Sequence, residues 1–380
     1  MIKLITIVGA RPQFIKAAAL NRIIRTQFKN QIEEIIVHTG QHFDDEMSSV
    51  FFDELEITPP KYNLEINGGG HAFQTGQMGQ KMEEILLKEK PHAIVLYGDT
   101  NSTLAGALTA SKIHIPVIHI EAGLRSFNKK MPEEINRILS DQVSTLLFCP
   151  TQTAVDNLNH EGFDIEKPTK KVDMNHPGVF MVGDIMYDCA LYFKEKANKE
   201  VDLQKSFSLS KPYLLATVHR PSNTDNLENL SSIFKAFIEI SKNYEVDIAL
   251  PLHPRTKKAI LKLPEDLQNE ISNFIKLLPP ASYLEMIALQ SNCKMILTDS
   301  GGIQKEAYFH KKPCIVLREE TEWIELLETG MFELCGSDNQ KIKLAYERLS
   351  DKKYAEETET LYGNGDTAIQ ICRKLVEYFD

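Results

Sequence analysis

The sequence predicts an α/β protein made of two doubly wound, Rossmann-like domains. Short runs rich in Ile, Val and Leu alternate with longer helical patterns, which is typical of parallel sheets built from strand-helix-strand units. The alternation breaks off and restarts near the middle of the chain. With 380 residues, 42% of them hydrophobic, the chain is long enough for two separate cores.

The N-terminal domain is predicted over residues 1–182 together with 364–380. Its strands are expected at KLITIVG (3–9), EEIIVHTG (33–40), AIVLYGD (93–99), PVIHIEAG (116–123) and TLLFCPT (145–151), with helices at 77–90 and 102–114. A polar, unpatterned loop (165–177) and the run VFMVGD (179–184) lead to the crossing into the second domain. The pattern over 367–379 predicts an amphipathic helix that closes the structure across the domain junction.

The C-terminal domain is predicted over residues 183–363. It opens with a helical pattern, IMYDCALYFKEKANK, and its strands are expected at YLLATVHR (213–220), VDIALPLH (246–253), FIKLLPP (274–280), KMILTDS (294–300) and KPCIVLR (312–318). Two doubly wound domains that face one another bring the carboxyl ends of both sheets to a central cleft, where ligands of such folds bind.

Composition narrows the class of protein. The formal net charge of -10 argues against a nucleic-acid partner, because phosphate backbones are bound by clustered Lys and Arg. The six cysteines form no CxxC pair and have no His at ligand spacing, so we expect reduced, mostly buried thiols and no metal site. The sequence shows neither a signal peptide nor a run of membrane-spanning length. We therefore expect a cytoplasmic protein without a membrane partner.

The stretch GARPQFIK (9–16) follows the first strand and enters a helix. Arg11 and Lys16 bring positive charge to the helix N-terminus, which suits an anionic ligand. The alternative is an ordinary turn with two solvated cations. The stretch matches neither GxGxxG nor a Walker loop, so neither a dinucleotide fingerprint nor a P-loop is predicted.

Carboxylates and histidines follow several of the predicted strands. Asp99 and Glu121 each end a strand, and Glu133 and Glu134 come after Pro132 at the start of a predicted helix. Carboxylates at strand ends are candidates for acid-base chemistry, although each alone also fits a helix cap, as Asp99 does before Thr-Asn-Ser-Thr. In the second domain, His219 and His253 end two strands, where hydrogen bonding or proton transfer is a better interpretation than metal binding.

The stretch TDSGGIQKEA (298–307) places two glycines between a strand and a helix. Asp299 and Ser300 can cap the helix, while Gly301 and Gly302 leave backbone N–H groups uncovered for a phosphate. Glu306, one turn later, fits the hydroxyl pair of a ribose. A tight turn with a good cap is the alternative interpretation.

Together these stretches resemble the non-hydrolysing UDP-N-acetylglucosamine 2-epimerases. The likeness runs over nearly the whole chain and rests on GARPQFIK, HTGQHFD (38–44), YGDTNSTLAGAL (97–108), HIEAGLRS (119–126), MPEEINR (131–137), ATVHR (216–220) and TDSGGIQKEA. It implies the GT-B fold, a homodimer, and reversible inversion at C2 of a UDP-2-acetamido sugar for surface-polysaccharide precursors. It implies no redox cofactor and no obligatory metal. The implied route eliminates UDP to leave a glycal and then adds UDP back.

The resemblance also implies roles for particular residues. The acid-base and essential polar set is Asp99, Glu121, Glu133 and His219, with Lys16 beside them, and which carboxylate takes the proton stays open. UDP is then held by Arg11, His253, Ser300, Gly301, Gly302 and Glu306.

Three departures from common family members concern the substrate and its control. The run Glu322-Trp-Ile-Glu325 replaces Glu-Arg-Pro-Glu, and the segment from Arg125 to Glu133 is shorter. Both resemble the branch that epimerises UDP-2,3-diacetamido-2,3-dideoxyglucuronate, which is the alternative substrate. In family members that are activated by their own substrate, further residues follow the Gln-His pair. This chain does not have them after Gln41-His42, which argues against such activation.

Rival interpretations remain. A GT-B glycosyltransferase would use the same UDP site and pass the sugar to an acceptor. Hydrolysing epimerases carry Ser-Arg-Ala-Glu where this chain has Gly-Ala-Arg-Pro. A nucleotide-sugar sensor would bind UDP without turnover.

Overall fold

The computed structural model describes residues 1–41, 52–166, 172–209, 212–354 and 361–379. Their contacts divide the chain into two compact units, Met1–Cys189 with Thr360–Asp380, and Ala190–Glu359. Each unit contains one parallel sheet with helices between successive strands. The predicted class, two doubly wound α/β domains, is confirmed.

The N-terminal unit contains a seven-stranded sheet in the order β3-β2-β1-β4-β5-β6-β7. Its strands are β1 (Ile2–Val8), β2 (Ile32–His38), β3 (Tyr62–Asn63), β4 (Ala93–Tyr97), β5 (Val117–Ile120), β6 (Leu146–Cys149) and β7 (Gly178–Met181). Its helices are α1 (Arg11–Gln27), α2 (His71–Glu89), α3 (Asn101–Lys112), α4 (Pro132–Gln142) and α5 (Gln152–His160), and α6 (Ile185–Glu200) continues into the next unit. The strand order reverses between β1 and β4, so the switch point of the sheet lies there.

The C-terminal unit contains a six-stranded sheet in the order β10-β9-β8-β11-β12-β13. Its strands are β8 (Tyr213–Thr217), β9 (Asp247–Pro251), β10 (Ile275–Leu278), β11 (Met295–Thr298), β12 (Cys314–Val316) and β13 (Phe332–Leu334). Its helices are α7 (Leu203–Phe207), α8 (Pro221–Thr224), α9 (Leu227–Tyr244), α10 (Pro254–Ile260), α11 (Glu265–Phe274), α12 (Tyr283–Asn292), α13 (Gly301–Phe309), α14 (Ile324–Glu328) and α15 (Asn339–Leu349). Here the switch point lies between β8 and β11.

Burial explains why the central strands form. Every residue of β4 and of β8 is buried, as expected for strands covered by helices on both faces. The last helix, α16 (Thr367–Phe379), has the predicted bounds, belongs to the N-terminal unit and packs against α1.

The differences from prediction lie at the sheet edges and at one helix start. Strands β3 and β13 were not predicted, because neither short strand lies in an apolar run long enough to show a strand pattern. Helix α2 begins at His71 instead of 77, since its exposed first turns lack an apolar pattern. The residues that follow Gln41, on which the comparison with substrate-activated members depends, lie outside the described ranges, as do 167–171 of the predicted loop.

Candidate active site

Gln13 fixes the turn between β1 and α1. Its Oε1 accepts hydrogen bonds from the backbone N–H groups of Gly9 (2.9 Å) and Ala10 (3.1 Å). Its Nε2 donates to the carbonyl oxygen of Tyr97 (2.9 Å) and to Oγ1 of Thr103 (3.0 Å). One buried side chain therefore ties the end of β1 to the end of β4, at the switch point of the sheet. Sequence reasoning did not single it out.

Lys16 and Glu121 form an ion pair at this switch point. Lys16 lies on α1, Glu121 directly follows β5, and their side chains are only 8% and 12% exposed. Glu121 has a φ of +72°, a left-handed conformation that costs a non-glycine residue about 1–2 kcal/mol. Its backbone N–H nevertheless donates to the carbonyl oxygen of Phe148 (3.1 Å), which holds the turn. Arg11, the first residue of α1, is half-buried.

Asp99 is paired with Arg137 of α4. The same guanidinium donates to Oε2 of Glu134 (2.8 Å), so Arg137 bridges two carboxylates. Asp99 was expected to cap the following helix, but the N-cap is Thr100, whose hydroxyl accepts from the N–H of Thr103 (3.3 Å). The Asp99 side chain is therefore turned to a cation and not to the helix terminus.

Glu134 organises the loop before α4. It is buried and accepts hydrogen bonds from the N–H and hydroxyl of Ser126 (2.9 Å each) and from the N–H of Phe127 (2.9 Å). Burial opposes ionisation, but these donors and Arg137 outweigh it and lower the pKa of Glu134. Glu134 is thus an ionised structural carboxylate.

Glu133, the neighbouring candidate, is exposed in the first turn of α4. The described contacts join Lys16 to Glu121 and Asp99 to Arg137, and they do not join Glu133 to either pair. Sequence reasoning missed Arg137, although its spacing from Glu134 is the i, i+3 pattern of a helical ion pair.

In the C-terminal unit, Asp299 organises the switch point between β8 and β11. This fully buried carboxylate accepts from the backbone N–H groups of His219 (3.0 Å) and Arg220 (2.9 Å) and from Nδ2 of Asn223 (3.0 Å). Asp299 therefore holds the turn after β8. It does not cap α13, although the sequence had made it a candidate cap. Ser300 occupies the N-cap position of α13, but its side chain makes no capping hydrogen bond.

His219 and His253 lie side by side at the ends of β8 and β9. Their ring centroids are 5.4 Å apart, and Nδ1 of His219 lies 3.6 Å from Oδ1 of Asp299. Nδ1 of His253 accepts from the backbone N–H of Arg255 (3.2 Å), which places the ring proton on Nε2. Desolvation, His219 and Arg255 lower the pKa of His253. His253 is therefore neutral near pH 7 and can donate through Nε2.

The start of α13 presents one open glycine and one crowded glycine. A β-carbon on Gly302 would have no neighbour within 4 Å, whereas one on Gly301 would overlap the carboxylate of Glu322. Glu322 is itself paired with Arg318 (2.7 Å). Open backbone is thus found at Gly302, and a carboxylate borders Gly301. Glu306, further along α13, accepts from Nε2 of Gln290 (2.6 Å).

Trp323, in the run that departs from common family members, contacts α13. The ammonium group of Lys305 lies 4.3 Å from the centroid of the indole ring. The neighbouring Thr321 donates to Oε1 of Gln304 (2.6 Å). The loop that carries Trp323 is therefore fastened to the helix whose first residues are the predicted phosphate site.

Neither a metal site nor a membrane-spanning helix is present among the described residues. In those ranges, no group of three or more His, Cys, Asp or Glu side chains is arranged to hold a metal ion. Nor does any helix in the described part of the chain reach the length and apolar character that spanning a bilayer requires.

Carboxylate–cation pairs at the switch point of the N-terminal unit, and a carboxylate with two histidines at the strand ends of the C-terminal unit, are features of an enzyme that handles a charged small molecule. The family model for UDP-N-acetylglucosamine 2-epimerase matches residues 25–376. A UDP-N-acetylglucosamine 2-epimerase homolog of Methanococcus maripaludis is 51% identical over 379 residues, covering 98% of this chain and 99% of that protein. The chain belongs to the UDP-N-acetylglucosamine 2-epimerase family, a family of isomerases.

Two further relatives extend this assignment. The UDP-2,3-diacetamido-2,3-dideoxy-D-glucuronate 2-epimerase of Pseudomonas aeruginosa is 48% identical over 375 residues, with 99% of each chain covered. The crystal structure of the Methanocaldococcus jannaschii UDP-GlcNAc 2-epimerase in complex with UDP-GlcNAc and UDP is 41% identical, with a TM-score of 0.82 and coverage of 99% of this chain and 100% of that one. The family resemblance drawn from the motifs is confirmed.

Proposed function

We propose that this protein interconverts the C2 epimers of a UDP-2-acetamido sugar without hydrolysing it. A base removes the proton at C2, the C–H electron pair forms the C1=C2 bond of a glycal, and the C1–O bond to UDP breaks. UDP then adds back at C1 while C2 receives a proton on the opposite face. The observation that carries the proposal is the Lys16–Glu121 pair and the Asp99–Arg137 pair at one switch point, in a chain of this family.

The acid-base groups of the proposal are Asp99, Glu121, Glu133 and His219, with Lys16 as the partner of Glu121. Such an elimination needs a base on one face of the sugar and an acid on the other. Glu121 is paired with Lys16, and Asp99 is paired with Arg137. Both carboxylates can therefore accept a proton, and each can return it in the reverse direction.

The nucleotide is proposed to bind through Arg11, His253, Ser300, Gly301, Gly302 and Glu306. The open backbone at Gly302, at the positive end of α13, supports a diphosphate there. His253, neutral and with its Nε2 proton available as a donor, supports a phosphate contact. A diphosphate so bound is stabilised as it leaves C1.

The experiment is incubation in deuterated water with UDP-N-acetylglucosamine and, separately, with UDP-2,3-diacetamido-2,3-dideoxyglucuronate. The C2 epimer should form with deuterium at C2. Glu121→Gln or His219→Ala should abolish exchange while UDP affinity stays nearly unchanged. UDP binding without exchange on either substrate would support a sensor, and transfer of the sugar to an added acceptor would support a glycosyltransferase.

UDP-N-acetylglucosamine is the proposed substrate, and the diacetamido uronate is the alternative. The chain is 51% identical to the M. maripaludis UDP-N-acetylglucosamine 2-epimerase homolog, 48% to the P. aeruginosa enzyme named for the uronate and 42% to the M. jannaschii UDP-N-acetylglucosamine 2-epimerase, so identity does not choose between the two substrates. Trp323, in the run that distinguishes the two branches, lies against Lys305 of α13. Running both substrates in parallel decides between them by kcat/KM.

A homodimer and a cytoplasmic location belong to the same proposal. The family resemblance supports the first, and six free, buried cysteines fit a reducing compartment. Light scattering on the purified protein and fractionation of the cells that produce it test the two statements.

A further inference from the structure

His119 is completely buried in β5 and has an acceptor at each ring nitrogen. Nδ1 lies 2.6 Å from Oδ1 of Asp141, and Nε2 lies 2.8 Å from the carbonyl oxygen of Gly98. A carbonyl oxygen can only accept a hydrogen bond. Nε2 must therefore carry a proton, and the state of Nδ1 depends on Asp141.

Asp141 is an ionised carboxylate. Burial alone would raise its pKa, but His119 and Arg125 outweigh burial and lower it. Its second oxygen accepts from the backbone N–H of Gly123 (3.1 Å) and from Nη1 of Arg125 (2.7 Å). With Asp141 ionised, the hydrogen in the contact between Nδ1 and Oδ1 belongs to His119, so Nδ1 donates as well. A histidine that donates from both nitrogens is an imidazolium cation.

The charges around His119 balance. Arg125 donates to Asp141 on one side and, through Nε and Nη2, to Glu161 on the other (2.7 Å each). Two cations and two carboxylates therefore alternate. Cys149, the other titratable group beside Asp141, adds no charge because burial raises the pKa of its thiol. A neutral His119 would leave the buried carboxylate of Asp141 to share Arg125, the remaining cation of the network, with Glu161.

We propose that His119, which donates from both ring nitrogens, is a positioning residue that fixes the two turns carrying Asp99 and Glu121. It holds the first turn through the carbonyl of Gly98, and the second through Asp141, which accepts from Gly123. Both turns contain a glycine with positive φ, Gly98 at +63° and Gly123 at +79°. Because glycine adopts positive and negative φ with similar ease, these turns depend on hydrogen bonds to fix their conformation. The kinetic part of this inference rests on the proposed function.

The charge state is tested by NMR of the full chain labelled with 15N-histidine. One histidine should show two ring N–H signals near pH 7, and His119→Gln should remove them. His92 is the matched control: it is exposed, and its Nδ1 accepts from the N–H of Lys3 (3.0 Å), so His92→Gln should leave those signals in place. A neutral tautomer at His119 near pH 7 overturns the proposal.

The positioning role is tested by kinetics and by amide exchange. His119→Gln and Asp141→Asn should each lower kcat for C2 exchange roughly 100-fold with KM and UDP affinity nearly unchanged, because the reacting groups are misplaced. Both should also speed hydrogen exchange at the Gly123 amide by about tenfold or more. Unchanged kcat and unchanged Gly123 exchange overturn the proposal. If the wild-type chain catalyses no C2 exchange, the proposed function fails, while the NMR and amide measurements still decide this inference.

Discussion

Lys16 and Glu121 form their ion pair beside Gly98, where a β-carbon would contact both side chains. A β-carbon at Gly98 would lie 3.2 Å from Oε2 of Glu121 and 3.4 Å from Nζ of Lys16. The backbone there has a φ of +63°, which favours glycine. The geometry of the pair therefore depends on a residue that carries no functional group.

The first prediction concerns Gly98→Ala. The added methyl group would press on the ion pair, and alanine at this φ costs about 1–2 kcal/mol. We expect the free energy of unfolding to fall by about that amount and C2 exchange to fall by about tenfold or more, as measured by chemical denaturation and by deuterium incorporation. The matched control is Gly76→Ala on the exposed face of α2, where a β-carbon meets nothing within 4 Å. Equal effects of the two substitutions would contradict the prediction.

Much of the fold could be predicted because burial leaves a period in the sequence. The runs that became β4 and β8 are continuously apolar, and α16 shows a clear helical period. Fewer of the contacts in the site could be predicted from the sequence. His119 begins HIEAGLRS, but Asp141 belongs to no motif, and their contact joins residues 22 positions apart, which no local pattern predicts. Asp299 was wrongly assigned as a cap because an aspartate after a strand can serve either the helix that follows or a neighbouring turn.

The second prediction concerns Gly302→Ala. Alanine is the better helix former, and its β-carbon meets no other group here, so we expect the free energy of unfolding to rise by about 0.5–1 kcal/mol. If a diphosphate rests on this backbone, the methyl group should weaken UDP binding about tenfold, measured by titration calorimetry. An unchanged UDP affinity would remove Gly302 from the proposed nucleotide site.

The third prediction concerns Asp188, which anchors the last helix. This buried carboxylate accepts from the backbone N–H groups of Thr367 (3.2 Å) and Ala368 (2.8 Å), and burial raises its pKa to about 6. A carboxyl group whose pKa is raised by folding stabilises the folded protein when the pH is below the ordinary carboxyl pKa. This contribution is lost as pH rises through about 6. Between about pH 5 and about pH 8 the loss is roughly 1–1.5 kcal/mol. Asp188→Asn should remove that slope from urea denaturation, and parallel pH curves for the two proteins would contradict this account.

The fourth prediction concerns His310, which has the opposite dependence on pH. It is buried at the end of α13, and its ring nitrogens have no hydrogen-bond partner among the described residues. Burial, with Lys194 and Lys312 nearby, lowers its pKa to about 3. In mild acid the unfolded chain therefore binds a proton at His310, whereas the folded chain does not. Stability is lost as pH falls below about 6.5.

His310→Leu tests this dependence, because leucine fills a similar volume without a titrating group. Between about pH 7 and about pH 5 the wild-type histidine should lower the free energy of unfolding by roughly 2 kcal/mol, and the variant should lack that decrease. Urea titrations at the two pH values, with the transition of the C-terminal unit followed separately, measure the difference. A variant that keeps the wild-type loss of stability in acid would show that His310 is protonated in the folded protein, and the burial argument would then be wrong.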